Sequence, residues 1–238
     1  LAMLLMLDQL PAVWVPTPEL RSWRRLIEYR QSVVNRRTRV KNSLRSMMRS
    51  HGIVMPRGLW TNKGLAWLGE VELPSVLCEL EREQLLEDLQ RLEKNVKRVE
   101  EELNRLGREH AGVALLQTIP GVGPRTAEAV VAYVGDPMRF SKNKAIGDYF
   151  GLVPRQDSSG EVNRLGHITR EGPAVVRRLI VEATWQARRL DERVGAYYER
   201  LVRGRDDRKK VALVGTAHYL LRVMLAMLQS GECWRSAA

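Results

Sequence analysis

Leu115-Leu116-Gln117-Thr118-Ile119-Pro120-Gly121-Val122-Gly123-Pro124-Arg125-Thr126-Ala127 joins two apolar helical stretches, the second continuing through Ala129, Val130, Val131 and Val134. This is the pattern of a helix-hairpin-helix. Gly121 and Gly123 let the turn take backbone angles that a Cβ resists. They also leave amide N–H groups at the start of the next helix, where the helix dipole favours an anion such as a DNA phosphate. Arg125 adds a charge-assisted donor, and Thr126 belongs to the same expected grip. Such contacts hold a backbone without reading its sequence. The same residues also suit a tight helix–helix turn that binds nothing.

Upstream, two long helices are expected. Thr17 is a good N-cap, Pro18 suits the first helical position, and Glu19 lies in the first turn. The helix that follows should run to about His51, where Gly52 and Pro56 stop it. Leu26, Val33, Val40 and Met47 recur every seven residues and form its apolar seam. Arg21, Arg24, Arg25, Arg30, Arg36, Arg37, Arg39, Lys41, Arg45 and Arg49 lie between them, opposed only by Glu19 and Glu28. The helix thus buries one stripe and offers a positive face. A connector containing Trp60 and Trp67 leads to a second helix, from about Ser75 to Glu109. Its Leu85, Leu89, Leu92, Val96, Val99, Leu103 and Leu106 alternate in steps of four and three, as in a coiled coil. The two helices can pair as a hairpin, or the second can zip to another subunit. The pattern fits both.

Downstream, Tyr149-Phe150-Gly151-Leu152-Val153-Pro154-Arg155-Gln156-Asp157 and Val162-Asn163-Arg164-Leu165-Gly166-His167-Ile168 flank a Ser158-Ser159-Gly160 turn. A small β-hairpin is expected, followed by Thr169-Arg170-Glu171-Gly172 and a helix opening at Pro173. Turn serines mostly serve the backbone, and no Ser/His/Asp arrangement is argued from this spacing. Arg155, Arg164 and Arg170 suit a phosphate with or without chemistry. Arg200 to Lys210 is another basic run, interrupted by Asp206 and Asp207; it reads as a solvated loop or as a backbone contact. On the last helix, His218 reads as a packed histidine.

The chain of 238 residues carries 39 Lys and Arg against 28 Asp and Glu, a net charge of +11. That excess points to a polyanion partner, because cations displace the counterions of nucleic acid. Cys78 and Cys233 make no disulfide scaffold, and the scattered His51, His110, His167 and His218 show no metal spacing, so no metal site is assigned. A reducing cytoplasm fits. The apolar Leu1 to Leu7 lacks a basic leader and is interrupted by Asp8 and Pro11, so neither a signal peptide nor a membrane span is expected there. The fold class is mainly α, with a long basic helix and coiled-coil arm before a compact helix-hairpin-helix domain bearing the hairpin. The expected divisions are 1–17, the remnant end of a preceding domain; 18–110, basic helix and coiled coil; and 111–238, the C-terminal domain.

The ordered set Pro120-Gly121-Val122-Gly123, Gly151-Leu152-Val153-Pro154-Arg155, Ser159-Gly160 and Gly166-His167-Ile168-Thr169-Arg170-Glu171-Gly172, followed by Arg177-Arg178, resembles the C-terminal domain of insertion-sequence transposases related to the Piv/MooV DNA invertases. The similarity extends over nearly the whole chain, as the middle and end of such an enzyme. The resemblance implies DNA recombination. It implies an RNase H-like domain of the RuvC type carrying four acids, with Mg²⁺ in the complete enzyme. It implies a serine in the Ser-Gly step, here Ser159, that attacks a scissile phosphate. It further implies DNA and a structured guide RNA as partners, and oligomers whose sites mix acids and serine from different subunits. The family's acids precede a helix like Leu1 to Leu10, so a truncated or split enzyme, incomplete by itself, is expected. Two other classes remain open: a non-catalytic DNA- or RNA-binding module, and a coiled-coil scaffold with incidental charge.

Overall fold

The structure, a computed structural model, describes residues 2–7, 9, 13–159 and 162–235. Asp8, Pro11, Gly160 and Glu161 lie outside it, as do the side chains of 157–159, 162, 163 and 165. The described residues are mainly α-helical with a single two-stranded antiparallel sheet, as the periodicities predict. The chain forms two compact units, Leu26–Arg105 and Leu1–Arg25 with Leu106–Ala238.

After the short α1 (Ala2–Met6), α2 spans Pro18–Ser50; α3 is Asn62–Glu70 and α4 is Val76–Arg108. Within the unit 26–105, α2 and α4 run antiparallel. Val33 packs with Leu92 and Val96, while Leu44, Met47 and Met48 pack with Leu89, Leu59 and Leu68. Arg30 pairs with Glu100, and Lys41 with Glu93 at 3.3 Å. The heptad seam of α4 is therefore used inside the chain, which selects the hairpin arrangement. A buried leucine here is worth about 2 kcal/mol of transfer free energy. Thr61 caps α3 by accepting from the Gly64 amide.

The other unit includes α1 and the linker around Trp14. It continues through α5 (Ala111–Leu116), α6 (Pro124–Val134), α7 (Ala145–Tyr149), β1 (Pro154–Ser159), β2 (Val162–Ile168), α8 (Ala174–Leu190), α9 (Glu192–Val202) and α10 (Lys209–Ser230). Every residue of α6 from Thr126 to Val134 is buried, so this helix is covered all round rather than along one stripe. It ends at Gly135, and its last carbonyls are held by two cations, the favourable charge at a helix C-terminus. Arg24 donates to Ala132 and Tyr133, and Arg139 to Val134 and Tyr133. Trp14 lies over both guanidiniums, at 5.4 and 4.4 Å. α10 packs on α5, α7, α8 and α9. With its preceding turn it is long and apolar enough to cross a bilayer by length and composition, yet Leu220, Leu221, Met224 and Leu225 are fully buried in this unit.

Candidate nucleic-acid interface

The segment expected to be a helix-hairpin-helix comprises α5, the turn 117–123 and α6. Gly121 has φ +87°, and a Cβ there would lie 2.5 Å from the Ala187 amide nitrogen. Its role is therefore to let the turn touch the backbone of α8. Gly123 is the N-cap of α6, with an extended φ of −82° and open space where a Cβ would stand. Its carbonyl accepts from the amides of Thr126 and Ala127. Arg125 is ion-paired with Glu128 at 2.8 Å, the two side chains 16% and 2% exposed. Thr126 is buried and, with Gly121, Glu182, Trp185 and Gln186, lines an open depression of about 560 Å³. Of the four turn residues expected to grip a phosphate, only Gly123 is exposed. Gly121, Arg125 and Thr126 each have a packing or pairing partner within the unit. The local pattern supplied the turn, but the neighbours on α8 and Glu128 are set by tertiary packing.

The hairpin is the more exposed element. Its register pairs Gln156 with Leu165, Asp157 with Arg164, Ser158 with Asn163 and Ser159 with Val162, with a bulge between Pro154 and Gln156. Arg155 lies opposite this bulge, because two steps from Pro154 to Gln156 on β1 face three from Ile168 to Leu165 on β2. Ser159 is the last residue of β1; its backbone is placed, while its side chain lies outside the described atoms. Because a strand alternates faces, the register puts positions 157, 159, 162 and 164 on one face. Arg155, Arg164 and Arg170 are all exposed. The structure thus gathers Arg155, Arg164 and Ser159 on one hairpin and Arg170 just beyond its end, apart from the helix-hairpin-helix residues in the chain.

What fixes the hairpin is its root. Gly151 has φ +64°, and a Cβ there would meet the Glu171 backbone within 2.4 Å; one on Gly172, φ +69°, would meet the Tyr149 carbonyl oxygen at 2.2 Å. Thr169 donates to Val153, and Arg170 to Gly151. Arg170 itself takes a left-handed φ of +59°, uncommon for a residue with a Cβ. Arg177 of α8 then donates one nitrogen to the carbonyls of Phe150, Glu171 and Gly172. Burial, and secondarily the charge of Arg170, pull its pKa below the usual arginine value. In the sequence, Arg177 stands only as part of the Arg177-Arg178 motif.

His218 is half-buried, and a Cβ on Gly147 would reach its Nε2 at 2.3 Å. Burial, then the charge of Arg222, hold its pKa below the ordinary imidazole value. It is the packed histidine the sequence suggests. In the basic run 200–210, Arg205 pairs with Asp207, Lys209 with Asp206, and Arg200 lies over Tyr197. Among the described residues, no group of three or more His, Cys, Asp or Glu could hold a metal ion.

Residues 113–199 match the family described as Transposase IS116/IS110/IS902. The chain is 30% identical over 218 residues to a probable family 20 transposase of Pseudomonas aeruginosa, covering 87% of this chain and 63% of that protein. It is 34% identical over 155 residues to the transposase for insertion sequence element IS1328 of Yersinia enterocolitica, covering 64% and 46%. A shorter stretch of 47 residues is 40% identical to a pilin gene-inverting protein of Moraxella lacunata, covering 20% and 15%. The chain thus spans about half to two thirds of the length of the two transposases.

Proposed function

We propose that this chain, similar across residues 113–199 to IS116/IS110/IS902 transposases, is the DNA-handling part of an insertion-sequence transposase in which Ser159 is the nucleophile. The observation that carries the reading is the hairpin. It bears Ser159, Arg155 and Arg164, and is held at its root by Arg177 and by glycine backbone contacts. A nucleophile must be held close to its target, and a stiff support lowers the entropy cost of that placement. In the proposed step, the Ser159 hydroxyl oxygen bonds to the scissile phosphorus. Its proton leaves to a base, and one bridging P–O bond breaks. The released sugar oxygen takes up a proton. Arg155, Arg164 and Arg170 would balance the phosphate charge.

The four RuvC-type acids, the relationship to Piv/MooV invertases, the guide RNA and the mixed active site belong to this proposal. Mg²⁺ would be held by those acids in the complete enzyme and belongs to the same proposal. A homo-oligomer is proposed as well. Since Leu89, Leu92 and Val96 are covered within the chain, its contact would draw on the exposed Val76, Leu77 and Leu80 at the start of α4.

The test separates binding from chemistry. Arg155→Gln with Arg164→Gln should weaken duplex binding at least about tenfold and flatten its salt dependence. Ser159→Ala should leave binding within about twofold. Undiminished recombination by Ser159→Ala would sink the nucleophile assignment, whereas duplex binding without any recombination by the unsubstituted protein would favour a non-catalytic helix-hairpin-helix module.

A further inference from the structure

From Tyr29 to Gly69 the sequence contains no Asp or Glu, while Arg30, Arg36, Arg37, Arg39, Lys41, Arg45, Arg49, Arg57 and Lys63 fall within it. Pairing with α4 uses few of these charges. Arg30 reaches Glu100 and Lys41 reaches Glu93. Lys41 and Arg45 also lie over the Trp60 ring, at 4.9 and 5.1 Å. Arg36, Arg39 and Arg49 are exposed and have no carboxylate partner among the described residues.

The outward face of α2 has its own order. Asn35, Arg39, Asn42, Ser46 and Arg49 follow one another at steps of four and three, and all are exposed. That spacing makes a straight stripe along the helix, roughly opposite the buried Val33, Leu44 and Met48. Ser32, Arg36 and Ser43 flank it. The helix from Ser32 to Arg49 extends about 26 Å at 1.5 Å per residue. Like charges three and four apart oppose helix formation, so such a face is complete only against a polyanion.

We infer that this face of α2 is a second DNA-binding surface, seated in the major groove of a B-form duplex and separate from the Ser159 hairpin. The major groove admits an α-helix, whereas the deep, narrow major groove of A-form RNA does not. The side chains match that seat. Short Ser and Asn residues let the helix approach, Asn and Arg can bond base edges, and Arg36, Arg39 and Arg49 reach flanking phosphates. The α4 side of the hairpin stays away from the groove, holding α2 rigid.

The test uses the full chain and a labelled 30-base-pair DNA duplex, titrated from low to moderate salt. Arg36→Gln/Arg39→Gln/Arg49→Gln should lower affinity at least about tenfold and reduce the log–log salt slope by about 2 to 3, with the helical circular dichroism unchanged. A matched variant on α4, Lys94→Gln/Lys97→Gln/Arg98→Gln, removes the same charge from exposed positions and should cost clearly less. Equal losses from the two triples would overturn the inference, since only net charge would then matter. Tighter binding of duplex RNA than duplex DNA would overturn it too. If Arg155→Gln/Arg164→Gln binds weakly while the α2 triple binds normally, the α2 face fails and the hairpin reading survives. The reverse pattern upholds α2 and counts against the hairpin's phosphate role.

Discussion

The guanidinium of Arg125 lies 2.8 Å from the carboxylate of Glu128, one turn along α6, and that carboxylate is 2% exposed. A residue whose sequence position suggests a phosphate contact is thus committed to neutralising a buried acid. Removing one member of such a pair leaves the other charge without compensation. Glu128→Gln should therefore destabilise the chain by about 3 kcal/mol, read by urea denaturation. If Arg125 instead served chiefly to bind DNA, Glu128→Gln would free it, and affinity would rise with little loss of stability.

The two glycines of the turn should respond differently to the same substitution. Gly121→Ala places a Cβ against the Ala187 backbone at a positive φ, and should cost about 2 to 3 kcal/mol through overpacking and strain. Gly123→Ala meets open space at an ordinary φ, so its cost should stay below about 1 kcal/mol, the loss of a modest N-cap preference. Thermal melts of both variants check this pair of outcomes.

Arg177→Ala removes the donor shared by the Phe150, Glu171 and Gly172 carbonyls. Charged hydrogen bonds of this kind contribute about 1.5 to 3 kcal/mol each at most, and sharing one nitrogen reduces the sum. A loss of about 2 to 4 kcal/mol is expected. Amide hydrogen exchange should show the greatest loss of protection at Thr169 and Arg170, whose N–H groups bond across the hairpin root. Uniform loss over the whole unit, with no excess at these two amides, would mean that Arg177 does not hold the root.

His218 gives the chain an acid-sensitive limb. Its folded pKa lies below the ordinary value of about 6.5 because burial and Arg222 disfavour the charged ring. As pH falls through that value, the unfolded chain takes up a proton there that the folded chain resists. The stability contributed by the neutral ring is present above about pH 6.5 and declines as pH falls toward the folded pKa. Denaturation midpoints measured from pH 7.5 to 5 should therefore drop, and His218→Gln should flatten that drop. An identical slope in both proteins would place the acid sensitivity elsewhere.

Both long helices were legible because their signals are local. Thr17-Pro18 starts α2 and Gly52 follows its end, while the four–three alternation from Leu85 runs the length of α4. The partner of the α4 seam was not legible. A heptad records an apolar stripe but not what covers it, and the choice rests on contacts such as Arg30 with Glu100, separated by 70 residues. The same limit applied at the turn. Gly121 announced a special backbone, but the α8 backbone that requires it lies more than 60 residues downstream. Arg155 and Arg164 lie on the hairpin that the two short extended runs, Pro154–Ser159 and Val162–Ile168, predict.

The most direct test is capture of the covalent intermediate in a recombination reaction, with the denatured protein–DNA adduct digested and mapped by mass spectrometry. A phosphodiester-linked nucleotide on the peptide carrying Ser159 is the expected result. With Ser159→Ala, the adduct should vanish and recombination should fall by at least about a thousandfold, as when other nucleophiles are removed, while DNA binding persists. An adduct on a different residue, or undiminished recombination by Ser159→Ala, would contradict it.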